Sequence, residues 1–246
     1  MNPIQKTARI TGFLYFLQIP FGTFGTIYIP SALVVLGDAA ATANNILANE
    51  FLFRLSIVTA ILNALLLVVT ALFFYKLLKP VHKNYARLIV LFTVIVAPIS
   101  MLNELNNVAV LLLLKSPEYV TMFSAGQLQT LMSVFLNLHQ YGIQIVGIFW
   151  GLWLLPMGYL VYKSNYIPKI IGVFLMITCL GYLIDFTTFF LFPNFGVIIS
   201  EYAFIGEVMM VFWLLFKSKN VASRYVEAQR NDPRVQESVE GKRETR

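Results

Sequence analysis

Along most of this chain the polar positions are too few to mark one face of a soluble helix. Apolar residues run together for about 20 positions at a time, the length a helix needs to cross the hydrocarbon core of a bilayer. Six such runs are predicted as helices: Ile10 to Val35, Phe51 to Leu78, Leu88 to Leu114, His139 to Tyr162, Ile170 to Phe192 and Val197 to Phe216. None shows the apolar/polar alternation of a membrane β-strand, and lipid offers the backbone no hydrogen-bond partner, so the runs are read as helices. The expected fold is all-α: a polytopic membrane helix bundle in residues 1–217, followed by a polar tail over 218–246. That tail has mixed charge and a helix-breaking Asn231-Asp232-Pro233, and is expected to be disordered and cytoplasmic.

Composition agrees with this pattern. Of the 246 residues, 58% are hydrophobic and 12% charged, with a mean hydropathy of +0.73; soluble domains carry about 25% charged residues. The first run is preceded by Lys6 and Arg9 and followed by Ala39-Ala40-Ala41, as in a signal peptide. Its apolar stretch exceeds the usual h-region of about 7 to 15 residues, so a retained signal-anchor helix is expected. The lone Cys179 lies inside the fifth run and has no partner for an internal disulfide.

Charge sets the expected orientation. Lysines and arginines gather before the first run, in the second connection (Lys76, Lys79, Lys83, Arg87), in the fourth (Lys163, Lys169) and in the tail. By the positive-inside rule these segments face the cytoplasm and both termini lie inside. The net charge of +6 is thereby accounted for by topology and attraction to anionic membrane lipid. No nucleic-acid-binding motif accompanies it.

Against this background the polar exceptions stand out. Asn103, Glu104, Asn106 and Asn107 interrupt the third run, His139, Gln140 and Gln144 open the fourth, Asp185 lies in the fifth and Glu207 in the sixth, below Glu201. At about 1.5 Å per residue most fall in the outer half of the membrane, with Glu207 near the middle and Arg54 at the outer edge of the second run. Faces agree within helices at about 100° per residue. Ser100, Asn103, Glu104 and Asn107 share one side; Thr178, Gly181, Asp185 and Thr188 another; Ser200, Ala203 and Glu207 a third. Gln140, Gln144, Gly147, Gly151 and Gly158 form a stripe whose small-residue spacing suits close helix approach. That stripe is expected to carry the glutamines into the bundle.

An acid in the middle of a membrane helix costs about 2.5 to 3.5 kcal/mol on the insertion scale. Glu104, Asp185 and Glu207 therefore need pairing, protonation or water, and one arginine, Arg54, faces three acids. The simplest resolution is that at least one acid holds a proton at neutral pH. The candidate ion-responsive groups are thus Glu104, Asp185, Glu207 and Arg54, with Asn103, Asn107, His139, Gln140 and Gln144 as candidate lining. The competing readings are structural: asparagines joining helices by hydrogen bonds, His139 as an interfacial residue, and Arg54 reaching the outer interface to pair with Glu50.

Enzyme signatures are mostly missing. His82 and His139 are too few for a three-histidine zinc site. There is no G-x-S-x-G serine, phosphate loop or dinucleotide fingerprint. No cofactor or metal is expected. The first run, with Pro20, Gly22, Gly25 and Pro30, is a candidate for a kinked or interrupted helix of the kind that lines transporter sites. Three functions remain open: a membrane protein with an outer polar cavity handling a small solute, cation or proton; a structural or accessory protein whose polar layer locks helices; and an intramembrane lipid-modifying or hydrolytic enzyme using His139 with an acid.

The stretch from Ile148 to Phe186 resembles an uncharacterised bacterial multipass membrane family, domain of unknown function 4386. K-T-A-R-I-x-G-F-L-Y (Lys6 to Tyr15), N-E-F-L-F-R (Asn49 to Arg54) and Y-x-L-L-K-P (Tyr75 to Pro80) add to the resemblance, which spans about residues 6 to 217. Trp150 stands where phenylalanine is expected and Lys169 where arginine is usual. The resemblance implies a bacterial cytoplasmic membrane location. It places Arg54, Pro156, Tyr159, Lys163, Pro168, Gly172 and Asp185 in family-like motifs without giving them roles.

Overall fold

A computed structural model describes residues 3–192, 196–200, 204–221, 223 and 227. Glu201, Ala203 and nearly all of the expected tail lie outside the described residues. The described chain is helical: α1 (Pro3–Thr23), α2 (Ile29–Leu33), α3 (Ala39–Ala48), α4 (Glu50–Leu78), α5 (Lys83–Lys115), α6 (Pro117–Met122), α7 (Ala125–Lys163), α8 (Lys169–Leu191) and α9 (Ile205–Phe216). Four of these, α4, α5, α7 and α8, are long and apolar enough to cross a membrane.

The first predicted run is not interrupted. A π-helical turn, Phe24–Tyr28, joins α1 to α2, with the Ile29 amide donating to the Phe24 carbonyl five residues back. Pro30 has no amide hydrogen to give the preceding turn, and widening the backbone there lets the helix continue. The helix carrying the fourth run starts earlier than His139, at Ala125. Ser124 and Gln127 form a reciprocal capping box at that start, and Leu128, Met132 and His139 then bury one face. With 39 residues, α7 is about 58 Å long, well beyond a hydrocarbon core of about 30 Å. The sixth predicted run differs in the other direction. Residues 196–198 are not helical, and α9 has 12 residues, about 18 Å at helical rise.

The helices close a ring in chain order. α1 packs on α4, α4 on α5, α5 on α7, α7 on α8, α8 on α9, and α9 returns to α1. The return is tight because Gly12 has no side chain: a Cβ there would lie 2.9 Å from the Leu215 amide nitrogen. On the other side of the ring, a Cβ on Gly158 would lie 2.6 Å from the Gly172 carbonyl oxygen. Burial follows two apolar clusters. One contains Ala8, Phe74, Leu77, Leu154, Ile167 and Leu214, near the connections rich in lysine, where the Tyr166 hydroxyl donates to the Leu77 carbonyl at 2.8 Å. The other contains Ile29, Leu33, Ile46, Phe53, Val110 and Met132 at the opposite end.

Candidate functional site

Between the two apolar clusters lies a polar layer. Along α5 the order is Val96, then Glu104 and Asn107, then Val110; along α7 it is Met132, His139, Val146. The expected face of α5 is the inward one. Glu104 and Asn107 are buried, Asn103 is half-buried, and Leu102 and Leu105 beside them are exposed.

Glu104 is satisfied within this layer. Its Oε1 lies 3.0 Å from His139 Nε2, and its Oε2 accepts from Asn107 Nδ2 at 2.8 Å. Both members of the carboxylate–imidazole pair are buried, at 8% and 9% exposure, which removes water as a competing partner. Asn103 ties the same two helices through the backbone: its Nδ2 donates to the His139 carbonyl at 2.9 Å. Asn106 in turn donates to the Asn103 carbonyl at 3.0 Å. His139 is therefore a buried partner of Glu104.

Asp185 sits elsewhere and does something different. Its two oxygens accept the backbone amides of Ile199 and Ser200 at 2.6 and 2.7 Å. A charged acceptor on two successive amides is a strong anchor, here holding the segment that leads toward α9 against the end of α8. Arg54 lies outside the buried layer. It is exposed and pairs with Glu50 one turn earlier at 2.7 Å, and Lys115 reaches the other oxygen of Glu50, joining α4 to α5 at their common end. Gln144 is half-buried and Gln140 exposed, contrary to the inward placement expected from the glycine stripe. Helices α7 and α8 diverge along that stripe. A Cβ on Gly151 would touch Tyr182 at 2.9 Å, whereas one on Gly147 would meet nothing within 4 Å.

Glu207 occupies a third environment. The Tyr15 hydroxyl donates to its Oε2 at 2.5 Å, linking α1 to α9, and its other oxygen takes no hydrogen bond from the described residues. Beside this pair is an open-sided cavity of about 490 Å³ bordered by α1, α4, α7, α8 and the start of α9; Gln18, Asn63, Trp150, Trp153, Tyr182 and Ser200 also line it. Tyr15 meets Phe74 and Trp153 edge-on, with ring centroids 5.3 and 5.6 Å apart. A void of about 50 Å³ beside Glu104 and Ser100 shares Gly22, Asn63, Leu67 and Trp150 with the larger cavity. Asn63 Oδ1 is buried without a hydrogen-bond partner. Gln18, by contrast, donates to Thr70 Oγ1 at 2.9 Å. Among the described residues no three of His, Cys, Asp or Glu converge on a metal site.

Of this lining, Ser200 and Glu207 were legible as one face and Gly22 as part of an irregular run, whereas the aromatic walls gave no sign of a cavity. Tyr15 was visible only as the end of an amino-terminal motif, and Trp150 only as a substitution within another. Asn63 carried one signal, an isolated amide in the most apolar run, which deserved the same question as Asn103.

The family described as Domain of unknown function (DUF4386) matches residues 10–218. An uncharacterized protein of Archaeoglobus fulgidus is 33% identical over 186 residues, which make up 72% of this chain and 96% of that protein. No solved structure matches the chain.

Proposed function

This chain belongs to the DUF4386 family, and we propose that it is a six-span protein of the bacterial cytoplasmic membrane that binds or moves a small solute, cation or proton in the cavity beside Glu207. The observation that carries this reading is the cavity itself. Its volume of about 490 Å³ falls within the 300 to 1,000 Å³ of small-molecule sites. Its lining combines aromatic walls with a few polar groups, one of them a carboxylate. Of the candidate ion-responsive residues, Glu207 takes that role because one of its oxygens takes no hydrogen bond from the described residues, while Glu104 and both oxygens of Asp185 are engaged.

A locking role is favoured for Glu104 and Asp185 by those same satisfied bonds. Six spans are supported by the ring, which needs α1 and α9 to close it. Cytoplasmic termini are supported by the gathering of Lys76, Lys79, Lys83, Lys163 and Lys169 at the helix ends that Tyr166 and Leu77 join. Contact with membrane lipid is supported by the exposed Leu62, Leu65, Val69 and Leu72 along α4.

Hydration of the cavity is the test. The native Cys179 is 1% exposed and gives little background, so a Gln18→Cys variant in lipid nanodiscs is expected to react with a charged thiosulfonate reagent. A Leu62→Cys variant, facing outward from α4, is expected to stay unmodified. If Gln18→Cys is as inert as Leu62→Cys, the cavity is dry and the solute reading fails.

A further inference from the structure

We infer that the occupant of this cavity is a protonated organic amine with an apolar body, its ammonium group held at Glu207 and its body against Trp150, Trp153 and Tyr182; the inference rests on reading the cavity as a solute site. Charge is the first argument. Among the described residues the lining contains Glu207 and no lysine, arginine or histidine, so an anion entering it meets a like charge. A carboxylate in surroundings of low polarity favours a positive partner, and the described lining supplies none.

Hydrogen-bonding capacity is the second. Glu207 Oε2 already accepts from the Tyr15 hydroxyl, while its Oε1 takes no hydrogen bond from the described residues. Asn63 also lines this cavity, but its Oδ1 is buried away from the open space. The acceptor that the occupant meets is therefore the Glu207 carboxylate, which is best matched by an N–H or O–H group. An ammonium group brings up to three N–H donors together with the charge.

The third argument is the wall. Aromatic faces attract cations, tryptophan most strongly, and Trp150, Trp153 and Tyr182 all line this space. A magnesium or calcium ion is a poorer fit, because it requires about six or more oxygen ligands and much of this lining is carbon. Volume separates the alternatives again: about 490 Å³ far exceeds the space of an inorganic ion and suits an amine with a ring or a short chain.

The test uses the purified full chain in nanodiscs, titrated calorimetrically with benzylammonium chloride, benzyl alcohol and sodium benzoate, with empty nanodiscs as the lipid control. Benzylammonium is expected to bind at least about tenfold more tightly than benzyl alcohol, and benzoate not to bind. Glu207→Gln, which can still accept from Tyr15, is expected to bring benzylammonium down to the level of benzyl alcohol. Should that variant fail to fold, the comparison of the three compounds on the wild-type chain decides alone. Equal binding of benzyl alcohol and benzylammonium overturns the cation inference and leaves the solute cavity standing. Displacement of benzylammonium by an equal concentration of sodium chloride overturns it in favour of an inorganic ion. Binding of none of the three overturns it as well, and thiol labelling at Gln18→Cys then separately decides whether the cavity takes solute at all.

Discussion

Glu104, Asp185 and Glu207 are three acids in one apolar bundle, and each meets the cost of burial by a different route. Glu104 uses an imidazole and an amide, Asp185 two backbone amides, and Glu207 a phenol on one of its oxygens. The Glu104 arrangement predicts an asymmetry. Removing one partner of a buried pair costs about 3 to 5 kcal/mol, while replacing both is far less harmful. His139→Ala is therefore expected to lower the unfolding temperature of the purified protein markedly. Glu104→Gln combined with His139→Ala is expected to recover much of that loss, because no carboxylate is then left stranded. A double variant no more stable than His139→Ala would show that the two side chains are not coupled. At this scale the sequence identified which residues needed an explanation, since charge in an apolar run is visible by inspection. It left their partners open, because a partner on another helix has no fixed spacing along the chain.

At the scale of the element, α7 shows how much a period can and cannot say. The glycine stripe from Gly147 to Gly158 is regular in sequence, and Gly151 and Gly158 do face α8. The divergence of the two helices then separates positions that look equivalent. Gly158→Ala places a methyl group 2.6 Å from the Gly172 carbonyl and is expected to cost about 1 to 3 kcal/mol through forced separation of α7 and α8. Gly147→Ala meets nothing within 4 Å and is expected to be neutral or to stabilise by up to about 1 kcal/mol through helix propensity. Thermal unfolding of the two variants side by side checks this, and equal destabilisation would contradict the helix approach described here. The start of α7 follows a similar logic. The capping box of Ser124 and Gln127 is legible as residues, yet it stands outside the apolar runs because the first turns of α7 are too polar for a membrane core.

For the whole molecule, the ring of helices joins what the chain separates. Tyr15 and Glu207 stand 192 residues apart in sequence and meet because α9 packs back on α1. The same closure makes the cavity, so topology and site belong to one question. On the proposed topology of six spans and cytoplasmic termini, green fluorescent protein fused after Ser218 is expected to fluoresce, and alkaline phosphatase inserted in the connection between α5 and α7 to be active outside. Activity of the phosphatase at the carboxyl-terminal position would overturn this topology.

The sequence by itself determined the helical class, the runs that are apolar enough for lipid, the asymmetry of charge between the two ends and the presence of acids that burial makes expensive. Each of these depends on composition within one segment, where the energy of transfer from water acts on every residue separately. Tertiary structure alone decided that Asp185 holds backbone, that His139 belongs to Glu104 and that Glu207 borders a cavity. Those outcomes depend on distances between helices remote in sequence, and such distances are set by which faces and which glycines allow the backbones to meet.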